Sequence, residues 1–152
     1  MQDVAAAFYH IFYRRIDMLR TQVREEIFKI VFRIPFNNRD EMEQQIEFSM
    51  EELDLKSKEN QTYIRNKATA ILEQLDKIDE QISNYCEGWN LNRIGKAEIA
   101  IMRIAVYEML FEEDIPNKVA INEAVELGKQ YCDEEAKGFI NAVLGKIERS
   151  IG

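Results

Sequence analysis

The chain has 152 residues, a formal net charge of −8, and only 6 glycines and 2 prolines. That length holds one domain with a substantial core rather than two, and the scarcity of turn-forming residues argues against sheets and for helices joined by short loops. A chain this acidic is a poor generic binder of nucleic acid and better suited to a basic protein, while no run approaches the roughly 18 apolar residues of a membrane span.

The opening MQDVAAAFYHIFYRRIDMLR mimics a signal peptide weakly, because its arginines follow the short apolar part instead of preceding it. Met18 offers an alternative start. On that reading residues 1–17 are an N-terminal extension and 18–152 a single domain; otherwise the opening adds a further helix. Val23, Ile27, Ile30, Val31 and Ile34 then recur at helical spacing until Pro35. Met42, Ile46, Ser49 and Leu53 mark a second helix. Ser57 is placed to cap a third, carrying Tyr63, Ile64, Ala68, Ile71 and Leu75. A fourth, around Ile78, Ile82 and Tyr85, stops at Gly88.

The segment EIAIMRIAVYEMLF, residues 98–111, carries only Glu98, Arg103 and Glu108 as charges. A helix apolar nearly all round is a buried one, so it belongs at the centre. After Pro116, a good first-turn residue, Ala120, Ala124, Leu127 and Tyr131 form the next stripe. Ile140, Val143, Leu144, Ile147 and Ile151 form the last. The expectation is an all-α domain of about seven helices, arranged as two small bundles that share the central helix.

Catalytic chemistry finds little support. His10 is the only histidine, so a nucleophile–histidine pair or a histidine-bearing metal site would have to use it. RIGKAE is no phosphate loop, since Asn90 and Ala97 stand where glycine and a hydroxyl residue are needed. The carboxylates fall on solvated helix faces. Cys86 and Cys132 match no metal or redox spacing and read as reduced thiols of a cytoplasmic protein. No catalytic residue, metal or cofactor is expected.

Three features remain, each with two readings. Arg20, Arg24, Phe28 and Phe32, spaced by four, are either a strip for phosphates and bases or a basic helix start over core phenylalanines. Residues 1–33 hold six bases against four acids, whereas residues 37–60 hold three against eight, so the basic end is local. Glu98 heads a stripe with Met102, Ala105 and Met109, where it either meets a basic partner or favours the positive end of the helix dipole. Phe139, beside Gly138, either stacks on a base or belongs to the core.

EDIPNKVAINEAVELGKQ, KGFINAVLGKI and GKAEIAIMRIAVYEML resemble the signature of the NusB family of bacterial transcription antitermination factors. RTQVREEIFKIVF resembles, more loosely, that family's arginine-rich first helix. The likeness spans residues 19–148. It implies two three-helix bundles and a non-enzymatic, cytoplasmic, RNA-binding factor. It implies pairing with NusE, which is also a small-subunit ribosomal protein, and binding of boxA-type RNA. With NusA, NusG and RNA polymerase, the pair would help transcription of ribosomal RNA operons pass terminators.

By the same resemblance, Arg20, Arg24, Glu135, Lys137 and Phe139 fall at RNA-binding positions, and Phe32 and Glu98 at positions facing NusE. Thr21 and Gln22 stand where the family commonly has further arginines, so the strip is poorer in charge. Lys118, Asn122 and Glu123 belong to the KVAINEA core, which chiefly shapes a loop and helix; by spacing, Asn122 shares a polar face with Glu126 and Lys129. The alternative function is a helical protein–protein interaction module without an RNA role.

Overall fold

The computed structural model describes residues 20–53, 58–86, 88 and 91–151. The expected extension, His10 and the Ser57 cap lie outside these residues. Seven helices are present among them, and no strand: α1 over residues 20–31, α2 (Arg39–Glu52), α3 (Lys58–Glu73), α4 (Leu75–Tyr85), α5 (Lys96–Phe111), α6 (Asn117–Tyr131) and α7 (Glu134–Ile151).

Local chemistry sets most of the boundaries. Pro35 falls inside a short 3-10 turn, Ile34–Phe36, which separates α1 from α2. The start of α2 is a capping box: the Asn38 side chain accepts the Glu41 backbone N–H at 2.9 Å, and the Glu41 carboxylate accepts the Asn38 N–H at 3.3 Å. Leu75 opens α4 rather than closing α3. α4 ends at Tyr85, and Gly88, at φ +72°, takes the left-handed conformation that turns the chain. Pro116 is the N-cap of α6, one position before the first turn. There its fixed φ suits the entry and its missing N–H costs nothing.

α5 is the centre of the fold, as its apolar sequence predicts. It packs against α3, α4, α6 and α7. Ile101, Met102 and Val106 are wholly buried, joined by Ile99, Ala100, Ile104 and Ala105. The core they meet holds Ile27 and Ile30 of α1, Met42 and Ile46 of α2, Ile64 and Ile71 of α3, Ile78 and Ile82 of α4, and Ile140, Leu144 and Ile147 of α7.

Two charges of α5, Arg103 and Glu108, are buried as well. Arg103 makes a bidentate pair with Asp79 of α4, both bonds 2.9 Å, while its Nη1 is buried without a hydrogen-bond partner. Glu108 is 1% exposed, and it receives Lys67 Nζ at 2.6 Å and Arg24 Nε at 3.1 Å. A buried carboxylate is tolerable only with such partners. Lys67 also reaches Glu112 at 3.1 Å and Tyr63 Oη at 3.1 Å. Burial alone would depress the Lys67 pKa, but Glu108, Tyr63 and Glu112 outweigh it and hold the ammonium above its usual range.

Candidate functional site

The two arginines of α1 divide. Arg20 is exposed at the start of the described helix, whereas Arg24 is 8% exposed. Arg24 is spent on Glu108 and, at 3.8 Å, on Glu123 of α6. The expectation that both arginines face one phosphate run is therefore corrected. A step of four drifts by about 40° on a helix, which here carries the second guanidinium inward, where a buried carboxylate holds it. The two phenylalanines below them fit the core reading of the strip: Phe28 is 4% exposed and Phe32 is half-buried against the core.

Phe32 nevertheless belongs to a row of aromatics that leads outward. Phe28 lies 4.6 Å from Tyr131 and 6.0 Å from Phe32, and Phe32 lies 5.8 Å from Phe36 (ring centroids). Phe36 is 58% exposed, and Lys96 Nζ sits over its ring at 5.0 Å. Lys96 opens α5, two residues before Glu98, so the row from Phe32 ends at the helix start that carries Glu98. Phe32, just past the end of α1, is thus linked to the start of α5 through Phe36 and Lys96.

Glu98 itself is half-buried in the first turn of α5. Its carboxylate folds back over Gly95, the N-cap, where an added Cβ would collide with it. The Cys132 thiol, just past the end of α6, lies close enough to feel the Glu98 charge. The Cys132 pKa is pushed up to about 12, first by burial and then by the Glu98 charge. Cys86 is buried, and burial raises its pKa too. Both cysteines are free thiols.

Cys132 stands between α6 and α7, so the Glu98 charge at the start of α5 acts on the α6–α7 turn. The remaining RNA candidates begin there, in the first turns of α7. Glu135 is exposed, Lys137 pairs with Glu134 at 2.8 Å, and Phe139 is half-buried against the core. The Glu134–Lys137 contact lowers the Glu134 pKa through the hydrogen bond and the charge. Among the described residues no group of His, Cys, Asp or Glu side chains is arranged to hold a metal ion.

Sequence reasoning missed Lys67, which lies inside the apolar spacing of Ile64, Ala68 and Ile71, and it gave Glu108 no partner. The available signal was a matched lysine and glutamate, each on a stripe that had to be buried. Phe36 and Lys96 carried no comparable signal.

Comparison with known proteins agrees with this all-helical fold. The NusB family model matches residues 21–149. The transcription antitermination protein NusB of Agathobacter rectalis is 44% identical over 129 residues, which cover 85% of this chain and 98% of the relative. That of Lachnoclostridium phytofermentans is 39% identical over 130 residues, covering 86% and 98%. Among solved structures, T. maritima NusB superposes with a TM-score of 0.77 at 37% identity, covering 86% of this chain and 90% of that one. A chain from the crystal structure of antitermination factors NusB and NusE in complex with dsRNA superposes with a TM-score of 0.74 at 25% identity, covering 86% and 96%. With the match running from α1 through α7, and the all-helical fold shared with solved members, this chain belongs to the NusB family.

Proposed function

We propose that this chain is a transcription antitermination factor that binds boxA-type RNA together with NusE and promotes processive transcription of ribosomal RNA operons. The observation that carries this reading is family membership over nearly all of the described fold. The likeness to a chain crystallised with NusE and RNA supports the two partners. NusA, NusG and RNA polymerase complete the assembly, which works in the cytoplasm without catalysing a reaction. The working unit is a single domain within residues 18–152, a boundary supported by the family match.

Arg20, Lys137, Glu135 and Phe139 serve the RNA, with Phe139 stacking on an unpaired base. Phe32 and Glu98 serve NusE. Arg24 contributes by fixing α1 to α5 and α6 rather than by meeting a phosphate. Electrostatics explains the need for a pair: at a net charge of −8 the chain as a whole disfavours a polyanion, and a basic partner supplies the missing positive potential.

Fluorescence anisotropy of labelled boxA RNA, with and without NusE, tests this. The pair should bind much more tightly than the chain alone. NusE binding with no gain for RNA would instead make this a protein-interaction module.

A further inference from the structure

The KVAINEA segment and the second half of α7 have no part in the surface just described, yet together they build a groove. It lies between α6 and α7 and encloses about 430 Å³. Lys118 and Asn122 line one wall, Asn141 and Arg149 the other, with Gly145 between them. Lys118, Asn122, Asn141 and Arg149 are all exposed, and among the described residues none has an ion pair or a side-chain hydrogen bond. Lys29, Arg65, Lys129 and Lys137 instead sit 2.8–3.3 Å from carboxylates, although Arg39, Lys77 and Arg93, like the groove cations, have no ion pair among the described residues. Lys146 lines the groove too, and its charge acts on the Cys86 thiol. Glu148 is the single acid among the lining residues.

Two backbone features sharpen the site. Gly145 leaves the α7 wall without a side chain, and the Arg149 guanidinium folds over the gap, 3.5 Å from where a Cβ would stand. α6 has no acidic residue in its first turn, whereas α2, α3, α4, α5 and α7 each have at least one. The positive end of the α6 dipole beside Lys118 is therefore not offset from within its own helix.

We infer that this groove binds the sugar–phosphate backbone of single-stranded RNA, extending the RNA surface from the start of α7 along its length. Lysine and arginine meet phosphate oxygens. The two amides both donate and accept, as a phosphate and its neighbouring 2′-hydroxyl require. The groove also lies in line with an expected RNA residue: Lys137, Asn141, Gly145 and Arg149 are spaced by four, a line about 18 Å long that wraps slowly round α7. An enclosed pocket would favour a free ligand, whereas a trough along a helix suits a chain. The inference rests on the RNA-binding reading above.

The test uses the chain paired with NusE and two RNAs, boxA alone and boxA carrying a uridine tract at each end. The unsubstituted pair should bind the extended RNA more tightly. The double variant Lys118→Gln, Arg149→Gln should bind boxA alone as before, lose roughly tenfold on the extended RNA, and show a salt slope shallower by about 1.4 units, two single-strand phosphate contacts. Gly145→Glu, whose added Cβ would meet only the Arg149 guanidinium at an ordinary contact distance of 3.5 Å, should reproduce the loss with an unchanged circular dichroism spectrum. Equal affinity and slope for parent and double variant would overturn the groove and leave the proposed function standing. Failure of the unsubstituted pair to bind either RNA would overturn both. Loss of binding to a polyglutamate peptide in the double variant, with RNA binding intact, would make the groove a protein site and overturn the inference.

Discussion

Arg24 and Glu108 are 84 positions apart in sequence and 3.1 Å apart in the fold. Their contact, shared with Lys67, ties α1 and α3 to the central helix through one carboxylate. Glu108→Gln removes the buried counter-charge that two cations share, leaving Lys67 only Glu112 and Arg24 only the more distant Glu123, and should cost about 3–5 kcal/mol in urea unfolding. A loss under ~1 kcal/mol would mean that water reaches the cluster.

The same cluster should shape alkaline stability. The folded pKa of Lys67 is raised above its unfolded value, near 10.4. Its stabilisation is therefore complete below that value and lost as pH rises through the folded pKa. Unfolding free energy should fall above about pH 10. The burial-raised tyrosines Tyr63 and Tyr107 add the same sign, so the measurement compares the parent with Lys67→Met, whose decline should be smaller. Identical curves would remove Lys67 from the effect.

The Glu98 charge acts on Cys132, and the thiol reports on it. With its pKa near 12, Cys132 should react slowly with iodoacetamide at about pH 8.5, and Glu98→Gln should speed the reaction several-fold by lowering that pKa. Burial is the larger cause, so the variant should still react more slowly than a free cysteine. Glu98→Lys should weaken NusE binding by about 1–3 kcal/mol in calorimetry. Unchanged affinity there would take Glu98 out of the interface.

Arg20 and Arg24 should separate experimentally. Arg20→Gln should leave melting unchanged and reduce the RNA salt slope by about 0.7. Arg24→Gln should lower stability by about 1–3 kcal/mol, because buried Glu108 loses one of its partners. Phe139→Ala should weaken RNA binding by ~1–3 kcal/mol with little change in slope, because stacking releases no counterions. A folded Arg20 variant with an unaltered slope would place the RNA elsewhere.

Ile101 is wholly buried at the centre, and Ile101→Ala should cost about 2–5 kcal/mol in urea titration. A loss under ~1 kcal/mol would mean that its surroundings collapse into the gap.

The fold was readable because apolar spacing survives in every helix and α5 is apolar nearly all round. What spacing could not reveal was pairing between distant helices. Arg24 looked like a companion of Arg20 because a step of four keeps residues near one face; the acceptor that pulls it inward lies far along the chain. Spacing extends the α3 stripe to Leu75 because it continues across the short break at Gln74. The groove at Lys118 and Arg149 stayed hidden because helix-by-helix reading places no residue of α6 opposite one of α7.

A central helix in contact with α3, α4, α6 and α7 has a consequence for how the molecule comes apart. Neither half can shed its packing without exposing a face of α5, so no stable half-molecule remains when the other melts. Heat should produce a single cooperative transition, with calorimetric and van't Hoff enthalpies in agreement. Amides in the middle of α5 should exchange with solvent only through global unfolding.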